Sequence, residues 1–305
     1  MTLPLGSTIV IALGGNALLL RGQQANGAAQ RTNIARAASA IAPLLDKYRI
    51  IITHGNGPQV GLLAAQSGTS GWPLDVVGAE SEGMIGYVIE QELSNRAPMR
   101  SFATLLSQVV VDAHDPAFKT PTKPIGLVHA DRTILDKQGV RSVADGEGWR
   151  RVVASPSPVA ILNLKAIRIL VEADISVICL GGGGIPVSLD ANGQAQGIEA
   201  VIDKDAASAL LARELGADAL IMLTDVDGIM TDFGTTEAKL LARTTPHALS
   251  SLQFSPGTMG PKVAAAISMA KVGKIAIIGA LGPLEEILAG KAGTWVVAEG
   301  RQASG

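Results

Sequence analysis

The sequence predicts an α/β protein, a three-layer α/β/α sandwich in which helices cover both faces of an open, mainly parallel sheet. Two observations support this prediction. Short runs rich in Ile and Val alternate along the chain with longer segments rich in Ala and Leu. The Ile/Val runs are continuously apolar, as expected for strands buried on both faces. Only 3% of the 305 residues are aromatic, so small and aliphatic side chains must fill the core.

The elements alternate in order along the chain, which predicts repeated βαβ units. The predicted strands are Thr8–Leu13, Arg49–Thr53, Gln108–Asp112, Ile175–Leu180, Ala219–Leu223, Lys274–Ile278 and Thr294–Val297. The predicted helices are Ala28–Asp46, Ala79–Asn95, Val159–Glu172, Lys204–Leu215 and Pro261–Lys271. We expect one domain over residues 1–305, with an N-terminal lobe, 1–185, and a C-terminal lobe, 186–305, that meet after a run of glycines.

Residues 113–153 interrupt this alternation. They are rich in charged residues, contain three prolines and have few apolar runs. We interpret them as a small protruding subdomain or a lid. A long surface loop is the alternative, although loops of this length are usually functional or disordered.

Composition excludes several classes of protein. The net charge of −2 argues against nucleic-acid binding, which usually needs a basic face. No apolar run is long enough for a transmembrane helix, and no Lys or Arg precedes the apolar run 7–20 as a signal peptide would require. The single cysteine, Cys179, excludes an internal disulfide and a cysteine zinc site. We therefore expect a cytoplasmic protein without a membrane or nucleic-acid partner, and a buried thiol at Cys179.

Three glycine clusters follow predicted strands. They are Gly14-Gly15-Asn16, Gly55-Asn56-Gly57 and the run Gly181–Gly184, which includes Gly182 and Gly183. Ligands of open α/β sheets bind beyond the carboxyl ends of the strands, and glycines there let backbone N–H groups approach an anion. A single cluster could be an ordinary strand-to-helix turn. Three together favour an anionic ligand.

Two lysines stand in the first turns of predicted helices. Lys204 follows Asp203, which we expect to cap the helix, and Asp205 suits the positive end of the helix dipole. A cation at that end is unfavourable unless an anion is also bound there. Lys262 repeats the arrangement after Pro261. Two such lysines are suited to neutralising the charge that builds on a transferred phosphoryl group. The alternative interpretation is that each is a solvated surface lysine.

The turn Thr224-Asp225-Val226-Asp227-Gly228 follows another predicted strand. It is either a plain turn or the place where a nucleoside binds. Phe233 could pack against a base, although a lone Phe is more often part of the core. The sequence lacks the P-loop, the dinucleotide fingerprint and the serine-hydrolase elbow. Its four histidines show no metal-ligand spacing, so no metal-binding residue is predicted.

These motifs together resemble the carbamate kinases of the amino-acid-kinase superfamily. The matching runs are 11–18, 53–61, 83–87, 115–119, 121–126, 150–156, 181–186, 201–205 and 257–262. They span nearly the whole chain in the family's order. The run His54-Gly55-Asn56-Gly57-Pro58-Gln59 and the polar insertion are specific to carbamate kinases within the superfamily.

The resemblance implies a homodimer that converts MgATP and carbamate reversibly into ADP and carbamoyl phosphate, running toward ATP in catabolic settings. It implies that the catalytic residues are Lys204 and Lys262, which contact the transferred phosphate and the nucleotide phosphates, Asp203, which orients the lysines, and Lys123, which reaches over the site from the polar insertion. The implied carbamate and phosphate residues are Gly14, Gly15, Asn16, Gly55, Asn56, Gly57, Gly182 and Gly183. The implied nucleotide residues are Thr224, Asp225, Val226, Asp227, Met259 and Gly260. Phe233 is a further nucleotide candidate that comes from the residues alone, because this chain departs there from a run that often contains tyrosine in the family.

The chemistry agrees with these residue types. Carbamate is already an anionic nucleophile, so the site needs no general base and must instead position two anions. We expect Mg²⁺ to be carried on the phosphates of ATP or ADP, with no protein metal cage and no prosthetic group. Alternatives are another small carboxylate, phosphate or phosphonate as acceptor, or a non-catalytic nucleotide or metabolite sensor. A dinucleotide oxidoreductase is disfavoured by the missing fingerprint.

Overall fold

A computed structural model of the chain describes residues 2–19, 23, 26–67, 72–254 and 257–300. For Asn16, Ala17, Pro58, Ala65 and Ser67 it describes the backbone only. The strands are β1 (Thr8–Leu13), β2 (Arg49–His54), β3 (Phe102–Thr104), β4 (Gln108–Val111), β5 (Lys123–His129), β6 (Ser142–Asp145), β7 (Gly148–Val153), β8 (Pro158–Ile161), β9 (Ser176–Ile178), β10 (Ile185–Leu189), β11 (Ala195–Gly197), β12 (Ala219–Thr224), β13 (Met230–Thr231), β14 (Lys239–Leu240), β15 (Arg243–Thr244), β16 (Ile275–Ala280) and β17 (Thr294–Val296).

The α-helices lie between these strands. They are α1 (Gly15–Leu18), α2 (Gly27–Ile41), α3 (Gly57–Ser67), α4 (Leu74–Arg96), α5 (Thr133–Lys137), α6 (Leu164–Glu172), α7 (Lys204–Leu215), α8 (Pro246–Ser250), α9 (Met259–Lys271) and α10 (Leu284–Leu288). Short 3₁₀ turns cover Ala42–Leu44, Pro116–Phe118 and Gly181–Gly183. In the described ranges no helix is long and apolar enough to cross a membrane.

An eight-stranded sheet forms the middle layer, in the order β15-β17-β16-β12-β1-β2-β9-β3. Its neighbouring strands are parallel except for the pair β16 and β17. Successive residues of a strand point to opposite faces, so Val10 packs into one apolar cluster while Ile9 and Ile11 pack into the other. The first cluster includes α7 and α9, and the second includes α2 and α4. The predicted α/β sandwich with a mainly parallel sheet is thereby confirmed.

Three smaller sheets accompany the main one in the described residues, the smallest being the pair β13-β14. Strands β11-β10-β4-β8 form a four-stranded sheet. Strands β5-β7-β6 form an antiparallel sheet inside the polar segment 113–153. This small sheet packs against α3 at Gly61 and Gly126, where a Cβ built on Gly61 would lie 1.9 Å from the Cα atom of Gly126. The close contact of the two backbones holds the start of β5, and with it Lys123, beside the main sheet.

Three predictions about the elements need correction. The strand at Gln108–Asp112 exists over Gln108–Val111, but it belongs to the four-stranded sheet, because β3 takes the edge position of the main sheet. The helix predicted over Val159–Glu172 is wrong at its start. Residues Pro158–Ile161 form β8 and pair with β4, which suits their β-branched side chains. Helix α3 was not predicted, because Gly and Pro at its start masked the helical pattern.

Candidate active site

The first feature of the site is a cavity of about 410 Å³ at the carboxyl ends of the central strands. We name it the glycine cavity. The loops that leave β1, β2 and β12 meet there: the Gly14 N–H donates to the Leu223 carbonyl at 3.1 Å, and the Gly55 N–H donates to the Leu13 carbonyl at 3.0 Å. The cavity is lined by Gly14, Gly15, Gly55, Asn56, Gly57, Val60, Lys123, Pro124, Ile125, Arg150, Gly182, Val201, Ile202, Asp203, Lys204, Asp205, Thr224, Asp225, Gly257, Thr258, Pro261 and Lys262.

Glycine is required sterically at two points of this wall. A Cβ on Gly14 would lie 2.6 Å from the carbonyl oxygen of Leu223. A Cβ on Gly182 would lie 2.1 Å from the Asn56 side-chain nitrogen, and its φ of +67° favours glycine in any case. The predicted glycine clusters of three separate loops therefore come together here, with their backbones in close contact.

Asp205 joins two lysines from different helices. Its Oδ1 lies 2.5 Å from Nζ of Lys204 on α7, and its Oδ2 lies 2.9 Å from Nζ of Lys262 on α9. Burial by itself would raise the pKa of Asp205, but the two lysines lower it below its ordinary value. Burial lowers the pKa of Lys204, and Asp205 partly offsets that effect. One buried carboxylate thus holds two cationic groups side by side at the wall of the cavity.

Asp203 caps α7 and also holds the third lysine. Its Oδ1 accepts from the N–H groups of Asp205 and Ala206, at 3.0 and 3.2 Å. Its Oδ2 lies 2.7 Å from Nζ of Lys123, at the start of β5. The expected N-cap is confirmed. Asp203 pairs with Lys123 alone, however, and Asp205 pairs with Lys204 and Lys262.

Two charged residues of this wall are not among the predicted site residues. The sequence indicates only a helix-dipole role for Asp205, because its pairing with Lys262 depends on the packing of α7 against α9. Arg150, on β7, also lines the cavity, and its Nε lies 3.1 Å from Oδ2 of Asp145. Its signal in the sequence was its place in a family motif beside Arg151, without an assigned role.

A second cavity, of about 750 Å³, adjoins the first. We name it the Phe233 cleft. The two share Thr224, Asp225, Thr258 and Lys262, so one elongated ligand can occupy both. The cleft is lined by residues 224–226 and 228–233, by Leu252, Gln253, Phe254, Thr258, Met259 and Lys262. Phe254 was not predicted. Phe233 is 74% exposed and is therefore not a core residue.

Three predicted residues with described side chains or backbones do not line these cavities. Gly183 is buried beside Ile202, Asp227 is exposed on the turn after β12, and Gly260 lies in the first turn of α9. The side chain of Asn16 lies outside the described residues. In the same described part of the chain, no group of three or more His, Cys, Asp or Glu residues is placed to hold a metal ion.

The arrangement suits the transfer of a charged group between two anions. Lys204, Lys262 and Lys123 supply positive charge, and the glycine loops allow close approach to backbone N–H groups. Such preorganised groups stabilise developing negative charge without moving during the reaction. Because the glycine cavity opens into a larger cleft at Lys262, a ligand can extend from one into the other.

Comparison with known proteins identifies the family. The model of the amino acid kinase family matches residues 7–278. The chain is 51% identical over 295 residues to the carbamate kinase of Haemophilus influenzae, covering 94% of this chain and 95% of that protein. Two structures of the Giardia lamblia carbamate kinase each cover 96% of this chain and 99% of theirs. One, bound to citric acid, has 38% identity and a TM-score of 0.90, and the other, bound to AMP-PNP, has 37% and 0.88. The chain therefore belongs to the amino acid kinase family and is similar over nearly its full length to carbamate kinases.

Proposed function

We propose that the protein is a carbamate kinase that transfers a phosphoryl group reversibly between ATP and carbamate, giving ADP and carbamoyl phosphate. The observation that carries the proposal is the pair Lys204 and Lys262, held by Asp205 where the glycine cavity meets the Phe233 cleft. Phosphoryl transfer needs positive charge at that junction, between acceptor and nucleotide. The full-length similarity to carbamate kinases supports carbamate as the acceptor.

In this mechanism carbamate and the transferred phosphate occupy the glycine cavity. The loops at Gly14, Gly55 and Gly182 enclose the acceptor, whose oxygen is already anionic, so no side chain has to remove a proton. Lys204 and Lys262 neutralise the charge of the phosphoryl group as it passes in line between donor and acceptor. Mg²⁺ enters with the nucleotide as part of the substrate.

The nucleoside occupies the Phe233 cleft. Thr224 and Asp225 also line the glycine cavity, and Val226 and Met259, the latter in the first turn of α9, line only the cleft. Phe233 is exposed enough to stack on a base. The binding of AMP-PNP by the Giardia lamblia relative supports a nucleotide in this protein. Asp227 and Gly260 take part only through the backbone shape of the turn after β12 and of the first turn of α9.

Residues 113–153 act as a lid in this proposal. This segment brings Lys123 and Arg150 to the glycine cavity. The contact of Lys123 with Asp203, the N-cap of α7, connects the segment to that helix. We expect amide hydrogen exchange in this segment to slow when ADP and a carbamoyl phosphate analogue bind together. Unchanged exchange would contradict lid closure.

We further propose that the protein is a homodimer. Met84 and Tyr87 stand on the outer face of α4 and are 39% and 56% exposed, and Leu106, 51% exposed, borders the same helix at Gly83. We name these three residues the α4 patch. It adjoins β3, the edge strand of the main sheet among the described strands. Exposed apolar residues beside an open sheet edge are typical of a subunit interface.

The dimer is tested by sedimentation velocity on the double variant Met84→Glu, Tyr87→Glu. We expect the wild type to sediment as a dimer and the variant as a monomer. The matched control is Val272→Glu, which places the same charge on an apolar side chain, 56% exposed, at the end of α9. A monomeric wild type, or a variant that stays dimeric, would contradict this interface.

We place the reaction in the cytoplasm and in the direction of ATP formation. A buried free thiol at Cys179 fits a reducing compartment. The deciding experiment is ATP formation from carbamoyl phosphate and MgADP, with Lys262→Ala as the control. Carbamoyl phosphate decomposes on its own, but decomposition makes no ATP. Robust ATP from the wild type and little from the variant is the expected result. No ATP from folded, nucleotide-binding protein would point first to another acceptor, then to a sensor.

A further inference from the structure

Two consecutive buried residues of α4, Ser81 and Glu82, lie behind the glycine cavity. Neither lines it. The Asn56 side-chain amide donates to Ser81 Oγ at 2.8 Å, and Ser81 Oγ donates to the Gly78 carbonyl at 2.7 Å. Asn56 lines the cavity, so Ser81 fixes one wall of the site from behind.

Glu82 fixes the adjacent loop, whose Gly182 lines the cavity beside Asn56. Its Oε1 accepts from the Gly181 N–H at 2.9 Å, and its Oε2 accepts from the Ser107 N–H at 3.2 Å. Ser107 extends the same support, because its Oγ accepts from the Leu180 N–H at 3.2 Å. A Cβ on Gly181 would lie 2.8 Å from Cγ of Glu82, so helix and loop are in direct contact.

The loop that Glu82 holds has an unusual backbone. Leu180 has a φ of +53° although it is not glycine, and Gly182 has a φ of +67°. Residues in such conformations persist only where surrounding contacts fix them, and they cluster at functional sites. Two hydrogen bonds supply those contacts: the Leu180 N–H donates to Ser107, and the Gly181 N–H donates to Glu82.

We propose that Glu82 is the positioning residue for acceptor binding: its buried carboxylate sets the Leu180–Gly183 loop in the conformation that receives carbamate or carbamoyl phosphate. Ser107 assists it, and Ser81 performs the same task for Asn56. This inference rests on the proposed function, because it assumes that the acceptor occupies the glycine cavity. It assigns a role to α4, an element from which no side chain reaches that cavity.

Burying a carboxylate is unfavourable, so the burial of Glu82 indicates that this side chain has a specific role. Removing Glu82 from water raises its pKa to about 7, and the N–H donors of Gly181 and Ser107 offset only part of that effect. A buried carboxylate destabilises a fold unless its hydrogen bonds compensate. An apolar residue of similar size would fill the space and would leave both N–H groups without acceptors.

The test is the steady-state kinetics of Glu82→Gln in the direction of ATP formation. Glutamine keeps the size of the side chain, but its NH₂ group faces one of the two N–H donors. We expect the KM for carbamoyl phosphate to rise tenfold or more, while the KM for ADP stays within twofold. A merely structural defect would lower the amount of active enzyme and leave both KM values unchanged.

Ser107→Ala provides a second, milder variant in case Glu82→Gln folds poorly. It removes the acceptor for the Leu180 N–H and keeps the backbone of residue 107. We expect a threefold to tenfold rise in the KM for carbamoyl phosphate alone. The matched control is Glu90→Gln, on the same helix, whose Oε2 accepts from Thr104 Oγ1 at 2.5 Å away from the cavity. It should leave both KM values unchanged.

The outcomes separate this inference from the proposed function. If Lys262→Ala abolishes ATP formation while Glu82→Gln and Ser107→Ala leave the KM for carbamoyl phosphate unchanged, the positioning role is overturned and the site stands. Equal increases in both KM values would also overturn it. If the folded, nucleotide-binding wild type forms no ATP from carbamoyl phosphate and MgADP, the proposed function fails first.

Discussion

The glycine cavity and the Phe233 cleft meet at Lys262, yet they are built differently. The glycine cavity is lined by glycines of several loops and by charged side chains, and it is held by buried ion pairs and by hydrogen bonds to α4. The lining of the Phe233 cleft includes one glycine, Gly228, and its Phe233 is 74% exposed. We expect the buried contacts to restrict the first region and the exposed side chain of the second to adjust to its ligand. We therefore expect a substitution in the glycine cavity to change activity or stability more than a comparable substitution in the Phe233 cleft.

The largest effect is expected at the junction itself. Lys204→Ala or Lys262→Ala should lower kcat at least about a hundredfold, because removing one preorganised electrostatic partner typically costs that much. Stopped assays of ATP formation measure the change, and circular dichroism checks that the fold survives. Lys271→Ala, at the exposed end of α9, is the matched control and should keep wild-type turnover. Near-normal turnover in both active-site variants would contradict the assigned roles.

The buried groups behind the glycine cavity predict an unusual dependence of stability on pH. Burial raises the pKa of Glu82 from 4.5 to about 7. The contribution of Glu82 to the free energy of unfolding is therefore fully present below pH 4.5 and is lost as the pH rises through about 7. Burial also lowers the pKa of His54 from 6.5 to about 4, against its bond to the Gly55 carbonyl. The contribution of His54 to the free energy of unfolding is present above pH 6.5 and is lost as the pH falls through about 4.

In the wild type these two effects oppose each other between about pH 5 and 7, and Glu82→Gln removes one of them. Cys179 and Lys204, which also act electrostatically on these groups, are present in both proteins. Relative to the wild type, the variant should lose about 2 to 3 kcal/mol of unfolding free energy between pH 8 and pH 5. Urea titrations at a series of pH values measure this loss. A difference that does not change with pH would show that Glu82 does not titrate in this range.

The steric side of the comparison is tested by two glycines of the same cavity. Gly182→Ala places a Cβ 2.1 Å from Asn56 at a φ of +67°, whereas Gly15→Ala meets nothing within 4 Å. We expect Gly182→Ala to lower the unfolding free energy by about 2 kcal/mol, from backbone strain and the displaced amide. Gly15→Ala should change it by less than about 0.5 kcal/mol. Equal losses in chemical denaturation would refute the distinction.

Local signals in the sequence were sufficient for much of this region. Glycines after strands, and a lysine at a helix start where a cation is unfavourable, pointed to the cavity and to Lys204. Helix α7 was predicted with both of its ends, because Asp203 caps it and Gly216 ends it in the left-handed conformation.

The features that could not be predicted from the sequence depend on contacts between residues that are far apart along the chain. Asp205 meets Lys262 only because α7 and α9 pack together, and Glu82 meets Gly181 from another helix. The strand at Pro158–Ile161 was likewise hidden, since its partner, β4, belongs to a small separate sheet. Pair contacts of this kind leave no periodic signal in one sequence.

The smallest effect is expected in the cleft. Phe233→Ala removes a stacking surface, and because this side chain is largely exposed its loss should cost about 1 kcal/mol, near the low end for aromatic stacking on a base. That corresponds to a roughly fivefold rise in the Kd for ADP, measured by calorimetry, with kcat little changed. Leu189→Ala, 45% exposed and outside both cavities, is the control. A loss of affinity as large as a hundredfold would mean that the cleft is as tightly constrained as the glycine cavity. The contrast between the two regions would then be wrong.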